Sequence, residues 1–111
     1  MKYHLFIVYA SDGGLWQNMA LNLPKDELLI YTKPYNDEFA ILVSGRAILP
    51  SQVKKIVILA SQFEIEKDFI LPNGKKFDDD KNIDCIIDSL RKVKGVNEVT
   101  QDFISPTKKV W

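Results

Sequence analysis

The sequence predicts an α+β protein whose small, mostly antiparallel sheet has about five strands, with two helices, in the order β-β-α-β-β-β-α. Two observations lead to this prediction. Short runs of β-branched and aromatic residues alternate with turn signals, and one segment near the end has a strong helical period. No long series of alternating strands and helices appears, which argues against a doubly wound parallel sheet.

The chain begins with a predicted β-hairpin. Residues 2–9 are rich in aromatic and β-branched side chains, which is typical of a strand. Ser11-Asp12-Gly13-Gly14 is a turn signal, and residues 15–23 alternate loosely enough to return as a second strand.

A first helix is predicted to begin at Pro24. Proline suits a first helical turn, whose N–H groups have no partner inside the helix, and Asp26 and Glu27 suit the positive end of the helix dipole. We expect this helix to stop by Lys33, because the residue before Pro34 is biased away from the helical region.

Three further strands are predicted in the middle of the chain. Residues 39–43 and 47–49 flank a tight turn at Ser44-Gly45-Arg46, and we expect Gly45 to have a positive φ there. Residues 53–60 form the strongest of the three, since apolar residues of both parities indicate burial on two faces.

The clearest helix is predicted over residues 81–94, with Gly95 as its stop. Its apolar residues have i, i+3, i+4, i+7 spacing: Ile83, Ile86, Ile87 and Leu90. The segment 96–104 is expected to be extended. Residues 1–104 then form one domain, and 105–111 a loosely held tail or the start of a linker.

The composition limits the classes of function. The chain has 111 residues, 46% hydrophobic and 27% charged, which fits a single folded domain. Its 15 basic and 15 acidic residues give a net charge of +0, so a role in binding nucleic acid is disfavoured. One cysteine allows no internal disulfide and favours a cytoplasmic location, and no run is long enough to cross a membrane.

Three groups of residues are candidates for a catalytic or metal-binding role. Asp78-Asp79-Asp80 concentrates negative charge, but adjacent carboxylates seldom converge on one ion, and a helix cap is the favoured interpretation. Cys85 lies opposite the apolar face of its helix and is favoured as a surface cysteine over a nucleophile. His4 lies on a strand, where a structural or surface histidine is commoner than a general base. We therefore expect no catalytic residue, metal site or cofactor.

Four segments of the chain together carry a resemblance to a known family. They are Leu21–Leu28, Lys33-Pro34-Tyr35, Ser44–Ile56 and the closing Val99-Thr100-Gln101-Asp102-Phe103-Ile104. They resemble a small N-terminal domain found in many bacterial proteins, where it precedes an effector domain of the TIR-like nucleotide-binding or abortive-infection type. The resemblance covers about two thirds of the chain. Pro24 departs from the family pattern, which often has a capping Ser or Thr there.

The resemblance implies a non-catalytic regulatory or interaction domain that serves a bacterial defence effector through sensing, docking or self-association. The partner it implies is a protein, an effector domain or a second copy of the chain. We expect the effector to lie on another chain or beyond Trp111. The alternative is a stand-alone nucleic-acid-binding or inhibitor protein.

Tyr35 and Arg46 are the predicted binding residues. Pro34 is expected to end the first helix, which places Tyr35 at the start of a loop, where binding residues concentrate. Arg46 follows a glycine turn that leaves its guanidinium free to reach a carboxylate or phosphate. The structural alternatives are that Tyr35 closes an edge of the core and that Arg46 pairs with Asp37 or Glu38. Trp16, Tyr31 and Trp111 fit either a recognition surface or the core.

Overall fold

A computed structural model describes residues 1–79 and 82–105 and confirms the α+β class. The described strands are β1 (Lys2–Ser11), β2 (Gly14–Leu23), β3 (Ile41–Val43), β4 (Arg46–Ile48), β5 (Val53–Ser61) and β6 (Val96–Glu98). The described helices are α1 (Lys25–Asn36), α2 (Ile83–Arg91) and α3 (Thr100–Phe103), with short 3-10 turns at Pro50–Gln52 and Phe77–Asp79. Trp111 and the rest of the predicted tail after Ser105 lie outside the described residues.

The main sheet has the strand order β2-β1-β5-β6, and each neighbouring pair is antiparallel. β1 and β5 lie in the centre and carry the longest runs of buried residues. The predicted hairpin of the first two strands is confirmed, with Ser11 paired to Gly14 across a two-residue turn. β2 is therefore an edge strand, and it is ten residues long.

Each face of this sheet has its own core. Leu5 and Ile7 of β1 point to the face covered by α1 and the β3–β4 hairpin. Phe6 points to the opposite face, where it packs with Val57 and Leu59 under α2 and the segment that precedes it. Burial on both faces explains why β1 and β5 are almost continuously apolar.

The first two of the three predicted middle strands do not join the main sheet. β3 and β4 form a separate two-stranded sheet, with Ile41 and Ile48 turned inward and Leu42 exposed. Gly45 at the turn has φ +77, which confirms the predicted positive dihedral.

The prediction that the first helix ends by Lys33 is wrong, because α1 continues to Asn36 with Pro34 inside its last turn. Only the bond to the Ile30 carbonyl is lost, and Ile30 lies on the solvent-facing side, where water can take that place. Burial of Tyr35, worth about 1.5 to 3 kcal/mol for a large side chain, offsets much of the proline penalty of about 3 kcal/mol.

The interpretation of the aspartate run as the cap of the second helix is also wrong. The cap is Asn82, whose side chain accepts hydrogen bonds from the N–H groups of Asp84 at 2.9 Å and Cys85 at 3.4 Å. Asp78 and Asp79 belong instead to a 3-10 turn that is held in place by the buried Phe77. The apolar face of α2 is as predicted, and the helix is shorter at both ends.

The closing segment, expected to be extended, is mostly not a strand. β6 has three residues, and after it the chain turns into α3. Thr100 is buried beside β5: its hydroxyl accepts from the N–H of Ile58 at 2.9 Å and donates to the Glu98 carboxylate at 3.2 Å. The Val99 N–H bonds the Ile58 carbonyl at 2.9 Å, so this segment continues the edge of β5 after β6 stops.

We expect Thr100→Val to lower the free energy of unfolding by about 1 to 3 kcal/mol, because it leaves the buried N–H of Ile58 without a partner. Urea unfolding followed by circular dichroism measures the change. Thr100→Ser keeps the hydroxyl and is the control, with a much smaller loss. A larger loss for Thr100→Ser than for Thr100→Val would show that the methyl group, and not the hydrogen bond, matters.

Candidate functional site

The most unusual surface of the described structure is the outer edge of β2. The strand sequence GLWQNMALNL contains no charged residue and no proline. Three of its large apolar side chains are substantially exposed: Leu15 at 68%, Trp16 at 44% and Met19 at 41%. Native proteins usually protect an edge strand with charges, proline, bulges or a short length. Over Gly14–Ala20, β2 shows none of these protections.

The hairpin turn determines which backbone groups of β2 face outward. Asp12 and Gly13 both have positive φ, as in a type I′ turn, so Ser11 and Gly14 form a hydrogen-bonded pair. Hydrogen-bonded and non-hydrogen-bonded pairs alternate along the two strands. The backbone N–H and C=O groups of Leu15, Gln17 and Met19 therefore point away from β1. In the part of the chain that the structure describes, no hydrogen bond reaches these outward groups.

A cleft of about 320 Å³ runs between β2 and α2, on the face to which Leu15, Gln17 and Met19 point. Met19, Phe77, Ile83 and Ile86 provide its apolar lining. Gln17 spans the cleft, since its side-chain oxygen accepts a hydrogen bond from the N–H of Ile83 at 3.0 Å. A strand added to β2 would place alternate side chains at this cleft.

On the other face of the edge, Trp16 and Arg46 meet at the tips of the two hairpins. Arg46 Nη1 lies 2.9 Å from Asp12 Oδ2, and Arg46 Cζ is 5.0 Å from the centre of the Trp16 ring. The Trp16 ring nitrogen donates to the Ser11 carbonyl at 3.0 Å. Arg46 thus pairs with Asp12 and not with Asp37 or Glu38, and it fixes the orientation of Trp16 beside the edge.

The structure separates Tyr35 from Arg46. The prediction that Tyr35 begins a loop is wrong. Tyr35 lies in the last turn of α1, with only 3% of its surface exposed. It belongs to the core beneath the β3–β4 hairpin, and burial raises the pKa of its hydroxyl. Of the two predicted binding residues, Arg46 alone lies on an accessible surface.

His4 anchors the far end of β2 to the interior. It is fully buried, its Nδ1 accepts from the Asn22 N–H at 3.1 Å, and its Nε2 donates to Ser61 Oγ at 2.8 Å. The Asn22 side chain in turn forms two hydrogen bonds with the backbone of Ile65. Its oxygen accepts from the Ile65 N–H at 2.8 Å, and its nitrogen donates to the Ile65 carbonyl at 3.0 Å. Burial lowers the pKa of His4 from 6.5 to about 4, so the ring is neutral at pH 7. Both nitrogens are occupied, which favours the structural interpretation of His4.

The remaining candidates from the sequence stay apart from one another. Cys85 is exposed, as predicted. Asp78 lies in the 3-10 turn before α2, and Asp80 is outside the described residues. Within residues 1–79 and 82–105, no three potential metal ligands cluster.

A second cavity, of about 490 Å³, lies between α1 and α3. Lys25, Lys33 and Asp102 border it, so its charge is mixed. The hydroxyl of Thr32, a residue that also lines this cavity, is buried without a hydrogen-bond partner among the described residues. Its mixed charge points to no ligand class, and the edge of β2 remains the better-defined site.

Sequence reasoning identified Trp16 and Arg46 but missed Leu15, Met19 and the edge itself. The signal that was present is the twelve-residue stretch without charge between Asp12 and Lys25. It becomes informative only when the strand order shows that β2 has one neighbour.

None of the helices among the described residues combines the length and the apolar character required to cross a bilayer. Comparison of the chain with family models, with curated proteins and with solved structures finds no match.

Proposed function

We propose that this chain is a non-catalytic regulatory module that binds protein through the open edge of β2. The observation that supports this most directly is an uncharged ten-residue edge strand with exposed Leu15, Trp16 and Met19. An extended segment added to such an edge gains backbone hydrogen bonds along its length. The outward groups of Leu15, Gln17 and Met19 supply the donors and acceptors for that pairing.

Specificity in this mode comes from the side chains on either side of the added strand. Alternate residues of the bound segment meet the apolar cleft beside α2, which favours apolar side chains. The intervening residues meet Trp16 and Arg46, an aromatic and a guanidinium of the kind that dominate binding energy at interfaces. The resemblance to domains that precede defence effectors makes an effector domain or a second copy of the chain the class of partner we propose.

The test uses random extended peptides displayed on phage and selected on sparsely immobilised protein. We expect enrichment of peptides with alternating apolar residues, and at least about tenfold weaker binding to the double variant Leu15→Lys/Met19→Lys, since charge interrupts an apolar strand edge. Ile30→Lys/Ile70→Lys is the matched control, because both isoleucines are exposed, at 68% and 58%, and lie outside β2.

Peptides that bind both double variants equally would contradict the proposal, as would a selection that enriches nothing. Added DNA or RNA tests the alternative class of partner. Tight binding of nucleic acid that weakens steeply with salt would replace protein docking as the function.

A further inference from the structure

We infer that the partner that fits the β2 edge is a second copy of this chain, joined by antiparallel pairing of β2 with β2 about a twofold axis. This inference rests on the proposed function and names the occupant of the same surface. The result is one continuous sheet across two copies, which removes the open edge from both.

Charge supports a symmetric partner. Antiparallel pairing about a twofold axis places residues near the axis opposite their own equivalents, so a charge there meets a like charge. β2 carries none over its ten residues, and the whole chain has a net charge of +0. Self-pairing therefore meets no electrostatic opposition along the strand.

The outward backbone groups restrict the register, and centring the axis on Gln17 is the choice that pairs all three outward residues. Hydrogen-bonded pairs across the junction must join residues whose backbone faces outward, that is Leu15, Gln17 and Met19. Centring the axis on Gln17 pairs Leu15 of each copy with Met19 of the other and gives about six backbone hydrogen bonds.

In this register the exposed apolar side chains cover one another. Leu15 and Met19 point to the same face of the sheet and become direct cross-strand neighbours at the cleft beside α2. On the opposite face, Trp16 lies across from Asn18 of the second copy. An interface of one strand pair with these side chains is small, below or near about 1,200 Å² in total, so the dimer is expected to be concentration-dependent.

The first measurement is sedimentation equilibrium from about 1 μM to about 1 mM, a range that covers weak dimers. We expect the average mass to rise from the 12.7 kDa monomer towards twice that value. Leu15→Lys/Met19→Lys should remain monomeric, while Ile30→Lys/Ile70→Lys should associate like the unmodified chain. Leu15→Pro, which removes an outward N–H and no bond to β1, should also weaken association.

The register is tested by oxidative cross-linking in a Cys85→Ser background. Gln17→Cys should form a disulfide-linked dimer, because paired residues of this type have Cα atoms about 5.5 Å apart. Leu15→Cys is the control, since it lies four residues along the strand from its equivalent, roughly 13 Å away. Cross-linking through Leu15→Cys in place of Gln17→Cys would overturn the register.

The outcomes separate the two proposals. A chain that is monomeric at every concentration, yet binds peptides through β2, would overturn self-pairing and leave protein docking in place. A dimer that survives Leu15→Lys/Met19→Lys would place the interface elsewhere and overturn this inference. If neither peptides nor a second copy bind at β2, both proposals fail.

Discussion

Replacing Ile104 by alanine should lower the free energy of unfolding by about 2 to 5 kcal/mol, as expected when a fully buried isoleucine is truncated. Ile104 is 1% exposed and packs in the core between α1 and the main sheet. Urea unfolding monitored by circular dichroism gives the difference. Leu42→Ala, at an exposed position of β3, is the control and should change stability by less than about 0.5 kcal/mol.

This first result would establish what the closing motif does. The ring of Phe103 makes an edge-to-face contact with Tyr3 at 5.2 Å, and the Asn36 side chain bonds the Phe103 carbonyl and the Ser105 N–H. Together with Thr100, these contacts hold the end of the domain against β5 and α1. A loss for Ile104→Ala as small as that for Leu42→Ala would show that the segment is dispensable for the fold.

Lowering the pH from 7 to 4.5 should destabilise the protein through His4, which is its one histidine. The folded-state pKa is about 4 and the unfolded value is 6.5, so the unfolded chain binds a proton first as the pH falls. The contribution of the neutral His4 ring to the free energy of unfolding is fully present above pH 6.5 and is lost as the pH falls towards 4. The full shift corresponds to a loss on the order of 3 kcal/mol, from about 1.36 kcal/mol per pKa unit.

His4→Gln provides the comparison, because its amide can still donate to Ser61 but does not titrate. We expect it to be less stable at pH 7, by about 1 to 3 kcal/mol, since the N–H of Asn22 loses its acceptor. Between pH 6.5 and 4.5 its stability should fall less than that of the unmodified chain. Parallel curves of unfolding free energy against pH would contradict the assignment. Proton NMR of the imidazole reports the same titration directly.

The two proposals and these two variants address different parts of the molecule. His4 holds the far end of β2 in place, and Ile104 holds the closing segment against the core. The side chains of Leu15 and Met19 are exposed and belong to neither core. Charged substitutions at Leu15 and Met19 are therefore expected to change binding with little change in stability. This separation makes a loss of association interpretable as a surface effect.

Local patterns in the sequence were sufficient for the class of fold, the first hairpin, the apolar face of α2 and the positive φ of Gly45. Each of these depends on neighbours in the chain: side-chain period, turn chemistry and the conformational freedom of glycine. The sequence also identified Arg46 as an accessible residue, because a glycine turn between two short strands lies at the surface.

The tertiary structure decided where local rules compete with packing. Pro34 by itself favours a helix end, but burial of Tyr35 against the core extends α1 past it, and so Tyr35 is a packing residue. The aspartate run by itself suits a cap, but Asp78 and Asp79 lie in the 3-10 turn that begins at the buried Phe77, and Asn82 caps α2. The candidate site belongs to the same class of feature. A strand is an open edge only through the order of strands in its sheet, and that order is set by contacts between residues far apart in the chain.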